Sequence, residues 1–323
     1  MTISRTEIAN PLLDPLTLKS LGGLFVIAET LVSGLHHGRH ASPDRGISTE
    51  FYDYRAYASG DDLRHVDWKH YGRTDRLYVR RYRHFADLTV HLVVDASASM
   101  SFASVEPNTA MPSKWDVARW LAAATAYLTS RQADRIALSL AGGTGPMIDE
   151  SSTTSDSACV VAPGRSWDHL KRIVSLLEHT TPAGTLHERP HLAASGMTIP
   201  TRQKMIILGD FLDDPQQLLD TVNLYRLREN EVTLAQILTD DELDPSFGGI
   251  ARIEDTESHT KRHVNVDAVQ QRYRTQLRNH IESIHTVAHT LGARHCLIRT
   301  SEPPLQALRR VLGLELHATL NIP

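Results

Sequence analysis

The pattern of apolar and polar residues predicts alternating strands and helices from residue 88 onward. Strand-length runs of apolar and β-branched residues occur at 88–95, 135–141, 158–163, 204–210, 231–238 and 293–300. Segments with helical patterns lie between or after them, at 114–131, 166–180, 213–230, 267–292 and 303–312. A near-continuous apolar run such as 204–210 is typical of a central parallel strand. The alternation therefore predicts an α/β domain with a mainly parallel sheet flanked by helices.

The first part of the chain has a different pattern. It is rich in Tyr, Arg, Asp and Gly and contains one helical pattern, near residues 16–35. We therefore interpret residues 1–86 as an N-terminal extension packed on the main domain, which takes residues 87–323. Within that domain, two short alternating runs predict a hairpin insertion at about residues 244–266.

Composition narrows the function classes. The 323 residues are 41% apolar with a formal net charge of −4, so no global positive field favours nucleic acid or an anionic membrane. Cys159 and Cys296 form no CxxC pair, which suits a reducing compartment. No signal peptide is recognisable, and the early apolar segment 21–28 is far short of the roughly 20 residues that cross a bilayer. We expect a cytoplasmic protein without a transmembrane segment.

Oxygen-bearing side chains gather where two predicted strands end. Asp95 closes the first strand of the domain and is followed by Ser97 and Ser99, whereas Asp210 closes the fourth strand. In open α/β sheets, ligands bind beyond the carboxyl ends of the strands, where the strand order reverses. An extended loop would turn Asp95, Ser97 and Ser99 the same way. Carboxylates and hydroxyls are hard donors that suit Mg²⁺, with Mn²⁺ as the alternative.

The same residues also have purely structural interpretations. Asp95, Ser97 and Ser99 suit a turn followed by a helix cap. Thr185, in an intervening loop, forms with Glu188 the T-x-x-E pattern of a capping box, which needs no metal. The residues alone leave both interpretations open.

The strand-end pattern is similar to a known metal site. Asp-Ala-Ser-Ala-Ser at 95–99, with Thr185 and Asp210 downstream, resembles the metal-ion-dependent adhesion site (MIDAS) of von Willebrand factor type A domains. The chain departs from that motif at two points. Pro-Ala-Gly precedes Thr185 where Gly-Gly is common, and the second strand end reads Gly-Asp-Phe-Leu-Asp-Asp, so that Asp213 and Asp214 are alternatives to Asp210.

A second pattern, over residues 45–82, resembles the signature of the bacterial family called domain of unknown function 58. With the motif that follows it, the resemblance covers about residues 13–312, nearly the whole chain. Several signature residues are candidates for an interaction or a structural role: Gly60, Asp61, Asp62, Arg64, Asp67 and Trp68.

The resemblance implies a von Willebrand factor type A-like (Rossmann-like) fold, with Asp95 and Asp210 on adjacent strands. It implies that hydroxyls of Ser97, Ser99 and Thr185 bind the metal and that Asp95 and Asp210 act directly or through water. An acidic residue of a partner would complete the shell. Relatives are often associated with MoxR-type AAA+ ATPases, so such an ATPase or its client is the expected partner.

Other candidate sites have weaker patterns. Residues 69–84 are basic with interleaved tyrosines, which suits nucleic acid, but their alternation equally predicts an edge strand, which we favour. The Gly-rich stretch 142–145 lacks the Lys-Ser/Thr of a P-loop. Histidine pairs at helical spacing lack the HExxH pattern of a zinc site and are interpreted as surface or packing residues: His36/His40, His187/His191 and His285/His289.

Three functions remain open. The preferred one is a non-enzymatic, metal-dependent protein-interaction module, because no convincing nucleophile and base accompany the motif. The alternative is a metal-dependent phosphatase or hydrolase, but an Asp-x-Asp phosphatase motif would need an acid where Ser97 stands, and no Gly-x-Ser-x-Gly is present at the motif. The third is a structural scaffold with a vestigial site.

Overall fold

The structure, a computed structural model, describes residues 23–37, 50–56, 72, 78–83, 88–106, 109–144, 159–184, 201–212, 215–245, 249–254 and 261–314. The helices are α1 (Leu24–His37), α2 (Lys114–Arg131), α3 (Trp167–His179), α4 (Pro215–Leu227), α5 (Asp240–Leu243), α6 (Val266–Thr290) and α7 (Pro304–Leu312). The strands are β1 (Glu50–Ala56), β2 (Tyr78–Arg83), β3 (Thr89–Ala96), β4 (Val105–Glu106), β5 (Thr109–Ala110), β6 (Arg135–Gly142), β7 (Cys159–Gly164), β8 (Lys204–Gly209), β9 (Glu231–Leu238), β10 (Ile250–Glu254), β11 (Lys261–Asn265) and β12 (Arg294–Arg299).

The main sheet has six strands in the order β12-β9-β8-β3-β6-β7. All neighbours are parallel except the edge pair β6 and β7. Strand order therefore reverses beside β3, whose two neighbours are the second and fourth strands of the sheet in chain order. This confirms the predicted α/β fold, with the strand order that the von Willebrand factor type A resemblance implies.

Both faces of the sheet are covered by helices, which is why its central strands are apolar throughout. All eight residues of β3 are buried. Because alternate side chains of a strand point to opposite faces, Leu92 and Val94 join one core with α1, α2, α3 and α7, whereas Val93 joins a second core with α4 and α6. Helix α2 lies deep in the first core, as its Ala-rich apolar surface predicts, and its Trp120 is 1% exposed.

The described residues fall into two compact units. One contains α1 and everything from Thr89 on, and the other contains the β1–β2 hairpin. This grouping differs from the predicted boundary at residue 86, because the apolar face of α1 is buried in the same core as α2 and α7. The edge strand expected within residues 69–84 is present as β2, and the expected insertion contains the antiparallel pair of β10 and β11.

No helix among the described residues is both long enough and apolar enough to cross a membrane.

One glycine sets the close approach of β6 to the end of β3. Gly142 has a φ of +94°, and a Cβ placed on it would lie 2.7 Å from the carbonyl carbon of Ala96 and from the amide nitrogen of Ser97. Both contacts are with backbone, which cannot move aside as a flexible side chain can. Gly142 thereby permits the backbone path that begins the Asp95–Ser99 loop.

We expect Gly142→Ala to lower the free energy of unfolding by about 3 kcal/mol, from positive φ and backbone overlap together. Gly23→Ala is the matched control, because Gly23 has a φ of +73° but no atom of the described residues lies within 4 Å of its Cβ position. That control should lose only about 1 kcal/mol. Urea unfolding measures the loss of stability in both variants. Equal losses would contradict the close approach of Gly142 to the backbone of Ala96 and Ser97.

Candidate metal centre

Asp95 lies at the carboxyl edge of the sheet, one residue before β3 ends. It is 7% exposed, and its Oδ1 accepts a 2.8 Å hydrogen bond from the Ser97 amide. On the neighbouring strand β8, a Cβ at Gly209 would lie 3.1 Å from Asp95 Cβ and 3.3 Å from Oδ2. The missing side chain of Gly209 therefore gives the Asp95 carboxylate its space at the end of β8.

Ser97 and Ser99 face each other in the loop after β3. Their Oγ atoms are 2.9 Å apart, Ser97 is buried and Ser99 is half-buried. Ser97 precedes the 3₁₀ helix Ala98–Ser101, but its side chain makes no capping hydrogen bond. The helix-cap interpretation therefore does not account for this hydroxyl.

The spacing of the two hydroxyls fits an octahedral cation. Two oxygens on adjacent corners of an octahedron, each about 2.0–2.1 Å from Mg²⁺, are about 2.9 Å from each other. The distance from Ser97 Oγ to Ser99 Oγ is 2.9 Å. The two hydroxyls therefore have a separation compatible with Mg²⁺ or Mn²⁺, which is also the length of the hydrogen bond between them, and the Asp95 carboxylate adds a donor of suitable chemistry.

The loop that leads to Thr185 lies against the same segment. Ala183 donates to the carbonyl of Ala96 (3.0 Å), and Ala98 donates to the carbonyl of Gly184 (2.9 Å). The backbone is thus held beside the motif up to the residue before Thr185. Several predicted site residues lie outside the described residues: Thr185, Asp213, Asp214, Gly60, Asp61, Asp62, Arg64, Asp67 and Trp68.

Asp210, directly after β8, is buried at 5% exposure and already has a cationic partner. The Lys114 ammonium lies 2.7 Å from Asp210 Oδ2. Asp210 Oδ1 accepts a long 3.4 Å bond from the Leu212 amide, and its carbonyl accepts 2.9 Å from Gln236 Nε2. The fold therefore brings Asp210 to the end of the sheet where Asp95 lies, as predicted, but in an ion pair that the sequence motif does not contain.

Lys114 also pairs with Glu242, and both residues are held by helix caps. Its side chain is 1% exposed, and Nζ lies 2.6 Å from Glu242 Oε1. Lys114 is the first residue of α2, which is fixed by a reciprocal capping box between Ser113 and Asp116. Glu242 uses Oε2 in the capping box of α5, where it accepts from the Thr239 amide at 2.8 Å. Both ends of the ion-pair network are thus positioned by helix starts.

The burial of Asp95 and the charge of Asp210 both oppose ionisation of the Asp95 carboxyl group. Burial, and then the charge of Asp210, raise the pKa of Asp95 to about 7, against the opposing effects of the Ser97 hydrogen bonds and Lys114. Burial alone would lower the pKa of Lys114, but the charges of Asp210 and Glu242 and their hydrogen bonds raise it above its ordinary value. Lys114 is therefore a permanent cation, whereas Asp95 lacks a compensating positive charge of its own.

Other metal and catalytic arrangements find little support. Within the part of the chain that the structure describes, no three His, Cys, Asp or Glu side chains form a group that could hold a metal ion. The candidate set uses hydroxyls in place of a third such side chain. Among the described residues, neither Ser97 nor Ser99 has a hydrogen bond to a histidine.

Lys114 and Glu242 are the residues that sequence reasoning missed. They are far apart in sequence, and no motif joins them. The sequence does contain capping-box patterns near both residues, Ser113-x-x-Asp116 and Thr239-x-x-Glu242. These patterns predict that a helix begins at each position, directly after a strand or loop. The pairing itself depends on the sheet order.

Comparison with known proteins identifies the family. A family model described as "Protein of unknown function DUF58" matches residues 53–283. The chain belongs to this family. Relatives of this DUF58 protein include uncharacterized proteins of Mycobacterium bovis and Mycobacterium tuberculosis. Each is 27% identical over 259 residues, which cover 79% of this chain and 75% of the relative.

Solved structures are similar to this DUF58 protein at a low level. BatB from Bacteroides thetaiotaomicron, titled a conserved hypothetical protein, is 13% identical with a TM-score of 0.39, covering 70% of this chain and 98% of BatB. The SpRpn10 VWA domain is 10% identical with a TM-score of 0.34, covering 71% of this chain and 95% of that domain.

We expect Asp95→Asn to stabilise the metal-free protein at pH 8. The folded-state pKa of Asp95 is raised, so its ionisation costs stability as pH rises from about 4 to about 7. Asparagine removes that cost and can still accept from Ser97. The expected gain is about 2 kcal/mol at pH 8 and close to zero near pH 4.

Urea unfolding in a chelator at both pH values measures this difference. Asp168→Asn is the control, because the Asp168 side chain is 93% exposed and its replacement should change little at either pH. A gain from Asp95→Asn that is absent at pH 8, or equal at both pH values, would contradict the buried position of the carboxylate.

Proposed function

We propose that this chain is a non-enzymatic protein-interaction module that binds its partner through a divalent cation, Mg²⁺ or Mn²⁺, at the end of β3. The observation that carries the proposal is the paired hydroxyls of Ser97 and Ser99, 2.9 Å apart and next to the buried Asp95 carboxylate. When bound, the cation would supply positive charge that attracts an acidic ligand.

In this proposal the residues of the chain orient donors and perform no chemistry. The Ser97 amide fixes the Asp95 carboxylate, and the loop from Thr181 to Gly184 holds the motif from the other side. Thr185 follows that loop directly and is proposed as a further hydroxyl donor. Ser99 is half-buried, so the site is open on its side.

The proposed partner is a protein that presents an Asp or Glu side chain. The hydroxyls bring no charge, so a cation held mainly by them and Asp95 would keep net positive charge. A partner carboxylate would neutralise that charge and fill a remaining position around the metal. The resemblance of the sequence to MoxR-associated proteins supports a MoxR-type AAA+ ATPase or its client as this partner.

Metal binding should raise the melting temperature of the wild-type protein. A ligand at ten times its dissociation constant stabilises by about 1.4 kcal/mol, which corresponds to an increase of about 2–4 °C for a chain of this size. Ser97→Ala should lose most of the increase. Differential scanning calorimetry with Mg²⁺, Mn²⁺ and a chelator gives the measurement.

Ser101→Ala is the matched control for Ser97→Ala. Ser101 ends the 3₁₀ helix that follows Ser97, and its exposed hydroxyl donates to the carbonyl of Ala98 at 2.7 Å. The Ser101 variant should keep the full metal response. An equal loss in both variants, or no response of the wild type to millimolar metal, would contradict the proposed site.

Partner binding should depend on both metal and Asp95. Immobilised wild-type protein should retain a MoxR-type AAA+ ATPase from a lysate of the native organism in Mg²⁺ and release it in a chelator. Asp95→Asn should lose the ATPase and Ser101→Ala should keep it, as identified by mass spectrometry. Retention of the ATPase in chelator, or by the Asp95 variant, would contradict metal-dependent docking.

A further inference from the structure

The residue that the motif does not contain, Lys114, changes what Asp210 can do. Its ammonium lies 2.7 Å from Asp210 Oδ2 and 2.6 Å from Glu242 Oε1, and its side chain is 1% exposed. Asp210 Oδ1 is the oxygen that faces the Leu212 amide. Both carboxylate oxygens of Asp210 thus have a donor within the fold.

We infer that Lys114 holds the Asp210 carboxylate in an internal ion pair and thereby keeps it from coordinating a metal at the Asp95–Ser99 loop. The inference deepens the proposed function and, for its effect on the wild-type protein, rests on it. Lys114 would be a positioning residue that sets the net charge of the site. With Asp210 withheld, a bound cation keeps more positive charge for an acidic partner.

Three features make the Lys114 side chain hard to displace. Its backbone amide donates to the carbonyl of Phe102, directly after the 3₁₀ helix of the motif, at 3.0 Å. The capping box of α2 fixes the backbone at the start of the helix. Glu242 is fixed in turn by the capping box of α5, so the ammonium lies between two anchored carboxylates.

Charge also separates the ammonium from a metal. A dication and an ammonium group that share one carboxylate repel each other strongly in a buried site. A buried Lys114 ammonium without a carboxylate partner would be costly in free energy, because its charge would be uncompensated. We therefore expect Lys114 to keep its ion pair with Asp210. A metal at the hydroxyls is therefore expected to leave Asp210 on Lys114.

Removal of the ammonium should release Asp210 as a ligand. The test compares Mn²⁺ binding, measured by electron paramagnetic resonance of free Mn²⁺, for the full-length protein and three variants. Lys114→Met with Glu242→Gln frees Asp210 without leaving Glu242 as a second unpaired acid. Glu242→Gln alone is the control that keeps the Lys114–Asp210 pair, and the third variant adds Asp210→Asn to the double substitution.

We expect the double variant to bind Mn²⁺ at least tenfold more tightly than Glu242→Gln, and the added Asp210→Asn to reverse that gain. All proteins are titrated in trimethylamine N-oxide, which favours the folded state, with near-ultraviolet circular dichroism to confirm folding. The inference is overturned if the double variant binds no more tightly, or if the gain survives Asp210→Asn.

A single substitution gives an independent check that does not unpair a buried acid. Asp210→Asn in the wild-type background leaves Lys114 paired with Glu242, and it should change Mn²⁺ affinity less than threefold. A tenfold loss would show that Asp210 is a ligand and would overturn the inference.

The outcomes separate this inference from the proposed function. If wild type fails to bind Mn²⁺ while the double variant binds it through Asp210, the proposed function fails and the role of Lys114 stands. If wild type binds Mn²⁺ and the double variant binds no better than Glu242→Gln, the proposed function stands and the role of Lys114 fails.

Discussion

A buried ammonium group joins the loops at the carboxyl edge of the sheet. Lys114 connects the end of β8 to the start of α5 through its ion pairs, and it connects α2 to the loop after β3 through its backbone. An ion pair with so little exposure depends on complete pairing, because the loss of one partner leaves a buried charge without compensation. The network lies beside Asp95, because the end of β8 and the loop after β3 also form the candidate site.

Glycine provides the second constraint. Gly142 and Gly209 end the two strands beside β3, and each leaves space that a side chain would fill, at Ser97 in one case and at Asp95 in the other. The motif residues can therefore lie deep at the sheet edge while their oxygens remain free of capping bonds. Within the loop, the Ser97 amide donates to Asp95 Oδ1 and the Ser97 and Ser99 hydroxyls bond to each other, so these oxygens are held together on one side of the sheet edge.

Much of the fold could be predicted from the sequence, because apolar periodicity reports which faces are buried. The runs at β3, β8 and β9 and the Ala-rich surface of α2 predicted their environments directly. The predicted neighbourhood of Asp95 and Asp210 was also correct, although it came from a family resemblance. Periodicity alone does not specify strand order.

The ion pairs of the site could not be predicted in the same way. In the sequence, Asp210 lies 96 residues after Lys114 and Glu242 lies 128 residues after it. The order of β3, β8 and β9 in the sheet brings the three residues together. A lysine in a helix start is ordinarily exposed, so its burial is not visible in the local pattern. The sequence motif indicated the oxygen donors, but it did not indicate that the Lys114 ammonium forms an ion pair with one of them, Asp210.

The proposed function requires a divalent cation between Asp95, Ser97 and Ser99. Anomalous diffraction at the manganese edge, from a crystal of the full chain grown with Mn²⁺, tests it most directly. We expect one peak within coordination distance of the Ser97 and Ser99 hydroxyls, with Asp210 still paired to Lys114. The absence of a peak at the hydroxyls, or a peak coordinated by Asp210 with Lys114 displaced, would contradict it.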